Sequence, residues 1–325
     1  MAIHNYHDTN SNLPGKGYGH NANVSPFIGL LPFIEQNTRF AECNETINQN
    51  TGDAADPMMN DRECWQGLLS FLMCPSDPNT RNGMTAVSGR MYTPTNYVFS
   101  EGDCYMPYGR PNNLRSPFGM IPSPSWGSSW GGGSANTFAV VTDGLSNTIF
   151  MSERCSSPGT GLEDYPLIQG GIANVNPGAG TNYPQVCLNT RAAGGTYKST
   201  VTAVNGSGTF FGHYNEIYTA FHVILPPNAP SCSVTTGTNG SYPELGNVGR
   251  SYNYLPPTSF HPGGVIVGLG DGSIRFISET IFTGNLGRFP KYYSSATSQD
   301  ISGETYNGVW GAMGSMNGGE AAVSF

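Results

Sequence analysis

A mainly β fold with a few short helices is the class this sequence predicts, and three observations predict it. Glycine and proline supply 44 and 24 of the 325 residues, while charged residues make up only 11%, against about a quarter in ordinary soluble domains. Strong helix formers give way to Gly, Asn, Ser, Thr, Tyr and Phe. From Phe138 onward the apolar residues recur at a spacing of two, the period of a strand. A hydrophobic share of 37%, with 11% aromatic, is enough to bury a core, which excludes a low-complexity disordered chain.

The elements follow in order. Ile3, Tyr6 and His7 share one helical face in the opening MAIHNYHDTNSNL, which reads as the tail of a helix truncated at its start, because two or three turns alone are marginal. From Ser25 to Phe40, Ile28, Leu31 and Ile34 continue a short amphipathic helix across Pro32. Trp65 to Met73 is a second apolar element, ending in the turn Cys74-Pro75-Ser76-Asp77. Phe138 to Thr142 predicts a strand, Asp143-Gly144 a turn, and Asn147 to Ser152 a returning strand. Residues 156–255 read as an insertion of short strands and long loops, with apolar runs at Thr209 to Phe211 and Ala220 to Leu225. The clearest signal is GVIVGLGDGSIRFIS, Gly264 to Ser278. Two strands flank Asp271-Gly272, which predicts a two-residue type I′ turn. Val265, Val267 and Leu269 fall on one face, and Ile274 and Phe276 share a face on the second strand. Ala321 to Phe325 would close the sheet. The organisation expected is residues 1–155 and 256–325 as one β domain, interrupted by 156–255.

Net charge of −8 with only Lys16, Lys198 and Lys291 leaves no basic stripe and excludes a nucleic-acid partner. No apolar run is long enough to span a membrane. Seven cysteines are scattered without a C-x-x-C pair, which reads as an extracellular protein with up to three disulfides. Proximity suggests Cys43 with Cys64 and Cys187 with Cys232; buried free thiols are the alternative. Sequons at Asn44, Asn205 and Asn239 leave glycosylation open.

No G-x-S-x-G elbow, P-loop, H-E-x-x-H or dinucleotide fingerprint is present. His4 and His7, with Asp8, could share a metal ion, although polar residues at a helix end more often bond backbone. His213, His222 and His261 could meet only through the fold. Asp143, Glu153, Asp271 and Glu279 sit near turns, where carboxylates can hold calcium; for both Asp-Gly pairs turn formation is the stronger reading. Trp126, Trp130 and the Tyr-rich loops could stack sugars or anchor subunits.

Several segments, in order, carry a resemblance: AIHNYHDTNSNLP, LLPFIEQNTRF, LMCPSDP, Asn96-Tyr97, VTDGLSNTIFMSER, SFHPGGVIVGLGDGSIRFIS and NGGEAAVSF. Together they resemble a large bacterial family of unknown function. It is described by a prepilin-type N-terminal cleavage and methylation segment and a C-terminal His-x9-Asp-Gly signature. His261, Asp271 and Gly272 keep that signature, whereas the apolar N-terminal helix is missing from this sequence. The resemblance implies a pilin-like or pseudopilin-like subunit whose β-sheet domain lies outside the cell and whose partner is itself. Scarce charge suits a surface that packs on its own copies. The expectation is thus a non-enzymatic structural protein of a filament or cell-surface assembly, with a secreted glycan-binding module as the alternative. His261, one strand away from Asp271, is expected at the far end of the hairpin, fixing a loop.

Overall fold

The computed structural model of the chain describes residues 1–16, 24–49, 62–80, 85–87, 90–105, 115–119, 135–158, 164–176, 183–234, 252–292 and 302–320. Its architecture is a set of small sheets joined by loops and flanked by short helices.

The opening helix, α1 (Ala2–Asn10), ends at Ser11, whose left-handed backbone (φ 59°) lets its N–H reach the His7 carbonyl. The segment after Ser25 does not form one helix. It divides into α2 (Pro26–Leu30), a 3-10 turn at Leu31–Ile34, and α3 (Asn37–Gln49). Pro32 has no N–H to offer the preceding turn, so the helix tightens there, and Glu35 in the left-handed region (φ 62°) breaks it. The Trp65 to Met73 stretch is built of 3-10 turns at Glu63–Trp65 and Ser70–Leu72.

Next come β1 (Thr85–Val87), β2 (Arg90–Tyr92), β3 (Tyr97–Ser100) and β4 (Cys104–Tyr105). The strand expected at Phe138 to Thr142 is instead a 3-10 turn, Phe138–Val140, because the Thr137 hydroxyl accepts the Ala139 N–H and caps it. Its return partner does form as β5 (Ile149–Glu153), but pairs with β3 and with the C-terminal hairpin. Then follow β6 (Ile172–Val175), α4 (Gln185–Leu188), β7 (Thr202–Val204), α5 (Glu216–Thr219), β8 (Ala220–Phe221), β9 (Cys232–Val234) and β10 (Tyr252–Tyr254). Thr209 to Phe211 is a buried loop, and only the first two residues of Ala220 to Leu225 are strand. The hairpin is β11 (Gly264–Leu269) and β12 (Ile274–Ser278), and β13 (Lys291–Tyr292) and α6 (Gly308–Gly314) end the series. Ala321 to Phe325 lies outside the described residues.

A five-stranded sheet runs in the order β12-β11-β5-β3-β8, and a four-stranded one in the order β10-β9-β6-β7. On one face of the larger sheet Val98, Ile149, Val265, Val267 and Ile277 pack with Trp310 and Met313 of α6. On the other, Phe99 and Phe150 meet Phe27, Ile28 and Leu30 of α2. Alternation along β3 and β5 thus feeds two cores. Each such side chain contributes about 1.5–3 kcal/mol by leaving water.

The hairpin turn differs from the two-residue form. Gly272 N–H bonds the Leu269 carbonyl, and Leu269 N–H bonds the Ser273 carbonyl. Only Gly272 of the three loop residues has positive φ, 87°. This is a type I turn followed by a left-handed glycine, a three-residue loop with a G1 bulge. Asp271 contributes by accepting the Ser273 N–H and hydroxyl. At the opposite end, a Cβ on Gly264 would stand 2.1 Å from the Ile277 carbonyl oxygen and 2.7 Å from the Phe276 ring.

Candidate functional site

The distant motifs of the sequence meet at one place. Asp77, at the end of the Cys74 turn, is buried and accepts N–H groups from Asn79 and Ser156 (2.9 and 2.8 Å). It also accepts the Asn96 side-chain amide at 2.5 Å. Burial raises the Asp77 carboxyl above its ordinary range, against those donors. Asn96 in turn donates to the Arg154 carbonyl at 3.0 Å and accepts the Cys74 N–H at 2.7 Å. One asparagine therefore ties the Cys74 turn to the end of β5.

Beside this hub His261 Nε2 lies 3.3 Å from Glu153 Oε2 and 3.8 Å from Cys74 Sγ. Each member is held by its own backbone bond. The other Glu153 oxygen accepts the Ile266 N–H at 2.6 Å. Ser259 Oγ accepts the His261 N–H and donates to the Gly264 carbonyl. Burial pushes the Glu153 carboxyl up, opposed by Ile266 N–H and by His261. Among the described residues, Cys74, Glu153 and His261 are a group with metal-ligand chemistry and mutual distances below 4.8 Å.

Next to it runs an apolar groove of about 340 Å³, whose walls include Ile3, Phe27, Leu30, Phe71, Ile266 and Ile274. It lies between α1, α2 and the hairpin, whose outward residues Ile274 and Phe276 are 66% and 52% exposed. Among the described residues β12 is also a sheet edge.

Other candidate residues are placed elsewhere. His4 Nε2 lies 2.8 Å from the Gly270 carbonyl oxygen, and the His4 and His7 rings pack on Phe138 at 4.8 and 4.3 Å. His213 and His222 are buried; their Nδ1 atoms accept the Asn215 and Leu255 N–H groups. Asp143 accepts the Gly318 and Gly319 N–H groups, and Asp271 accepts from Ser273. Cys187 and Cys232 form a disulfide, whereas Cys43 and Cys64 are buried free thiols. Burial pushes the Cys43 thiol far up, and its neighbour Cys64 adds to this. Asn44 sits half-buried on α3 and Asn205 is buried. Trp126, Trp130 and Asn239 lie outside the described residues.

Cys74 and Glu153 as neighbours of His261 were not foreseen. The available signal was their membership in ordered motifs, LMCPSDP and FMSER, that also carried the resemblance. Among the described residues no helix is long and apolar enough to cross a membrane.

No curated protein and no solved structure matches the chain. Residues 1–283 match the profile of a family described as "Protein of unknown function (DUF1559)". The protein that brings these motifs around His261 belongs to that family.

Proposed function

We propose that the chain is a non-enzymatic extracellular structural protein, a pilin-like subunit that associates with copies of itself in a filament or cell-surface assembly. The observation that carries this reading is the exposed apolar face of the hairpin, on a strand that is a sheet edge among the described residues. Soluble monomers blunt such edges with charge, proline or a covering element, yet Arg275 is the single charged residue in β12. Two copies of β12 aligned antiparallel about Phe276 place Ile274 opposite Ser278 and Arg275 opposite Ile277. That register joins the apolar faces and sets no like charges opposite one another. A chain with 11% charged residues presents little repulsion to its own copy.

Sedimentation velocity over a hundredfold concentration range, with electron microscopy of the concentrated sample, tests this. Concentration-dependent association is expected, and it should vanish in Ile274→Glu/Phe276→Glu with the circular dichroism unchanged. A monodisperse monomer at the highest concentration, with no ordered assembly on the grid, would sink the proposal.

A further inference from the structure

We propose that Cys74, Glu153 and His261 form a three-ligand site for a zinc-class transition-metal ion, with a fourth position facing solvent. A thiolate, an imidazole and a carboxylate are the donor types that zinc takes from proteins. The spacing suits it as well. Metal–ligand bonds of about 2.0–2.3 Å in tetrahedral array separate their ligand atoms by roughly 3.3–3.6 Å. The observed separations are 3.3 Å from His261 Nε2 to Glu153 Oε2 and 3.8 Å from Nε2 to Cys74 Sγ. His261 Nε2 thus stands within a few tenths of an ångström of both spacings, and all three ligand atoms lie within 4.8 Å of one another.

The donors are oriented from behind, as metal ligands usually are. Ile266 N–H holds one Glu153 oxygen and leaves the other facing His261. Asn96 holds the Cys74 backbone, and Ser259 holds that of His261. The site is reachable, since the His261 side chain is 35% exposed while the Glu153 side chain is only 5% exposed. Among the described residues Cys74 is the free cysteine that is not fully buried. The ion would tie the Cys74 turn, the end of β5 and the loop before β11 together.

Cobalt(II) added to the metal-stripped full chain with the Cys187–Cys232 disulfide intact reads the site directly, because a thiolate ligand produces a near-ultraviolet charge-transfer band. The expected result is a band that saturates at one cobalt per chain and disappears when zinc is added. Cys74→Ser should abolish the band. His261→Ala and Glu153→Gln should weaken cobalt binding at least tenfold, and Cys43→Ser should leave it unchanged. If Cys74→Ser fails to fold by circular dichroism, the His261 and Glu153 variants carry the test. Two outcomes overturn the proposal: no band in a native chain whose Cys74 thiol is titratable, or a band that survives both Cys74→Ser and His261→Ala.

Discussion

The two main sheets are held by opposite means. In the five-stranded sheet, strands from residues 97 to 278 are brought together by a buried polar hub in which Asp77, Asn96 and Arg154 bond one another and distant backbone. The four-stranded sheet draws its strands from a shorter stretch, residues 172 to 254, and is fastened by the Cys187–Cys232 disulfide between α4 and β9. Hydrogen bonds between segments far apart in sequence impose geometry, while a covalent cross-link limits the unfolded chain. The sheet shaped by geometry is the one that carries the His261 cluster and the groove. Between the two lies a seam: Glu216 of α5 accepts the Asn253 side chain of β10 at 3.3 Å, and His222, just after β8, accepts the Leu255 N–H.

The largest effect expected is loss of the cross-link. The bond spans 45 residues, so Cys187→Ala/Cys232→Ala should lower stability by about 4 kcal/mol on the chain-entropy account. Guanidinium unfolding measures the total, and amide exchange should show β6, β7, β9 and β10 opening first. Equal acceleration in both sheets would erase the distinction between them. Asn96→Ala strands the Cys74 N–H and removes two donations at once, so about 3 kcal/mol should be lost. Urea unfolding checks this, with faster exchange in β3 and β5; a loss under about 1 kcal/mol would mean that the hub is incidental.

The seam should answer to pH. Burial, helped by Glu101, lifts the Glu216 carboxyl from 4.5 to about 7. Burial, with Lys16 and Arg154 nearby, drops the His222 imidazole from 6.5 to about 3. The Glu216 contribution is complete below pH 4.5 and is lost as pH rises toward 7. That of His222 is complete above pH 6.5 and is lost as pH falls toward 3. Between 4.5 and 6.5 the two slopes oppose and cancel. Glu216→Gln removes one of them, so stability in that window should rise with pH by about 1.4 kcal/mol per unit more steeply than in the native chain. Denaturant midpoints at pH 4.5, 5.5 and 6.5 read the slope; parallel profiles for the two proteins would refute the opposed titrations. The smallest effect belongs to the hairpin tip, where Gly272→Ala forces an alanine to φ 87° and should cost about 1 kcal/mol by thermal unfolding.

Local patterns in the sequence were readable where one segment determines its own structure. Val265, Val267 and Leu269 are all buried as their period of two requires, and the α1 face showed in Ile3 and Tyr6. The failures share a cause. Phe138 to Thr142 has strand composition, but a threonine hydroxyl turned it into a 3-10 turn. Pro32 and Glu35 divided a stretch whose apolar spacing was continuous. The His261 cluster was illegible because Cys74 and His261 stand 187 positions apart, and neither has a local partner that reveals the other. Glu153 could be recognised as a carboxylate near a turn, but its role depends on Ile266 and His261, which only the sheet pairing brings near. Thr209 to Phe211 shows the same limit, since its aromatic residues serve the core from a loop.

Gly264 has a consequence for the neighbouring aromatic residue. With no side chain of its own, it lets the tip of the Phe276 ring reach over the backbone across the strand pair, as aromatic residues shield glycines on sheets. The ring is therefore seated over a notch in the backbone, although the residue is half exposed. A side chain frozen on contact forfeits about 0.5–1.5 kcal/mol of rotamer freedom, and a ring already seated forfeits less. Any molecule that settles on Phe276 meets a ring part of whose freedom the glycine notch has already taken.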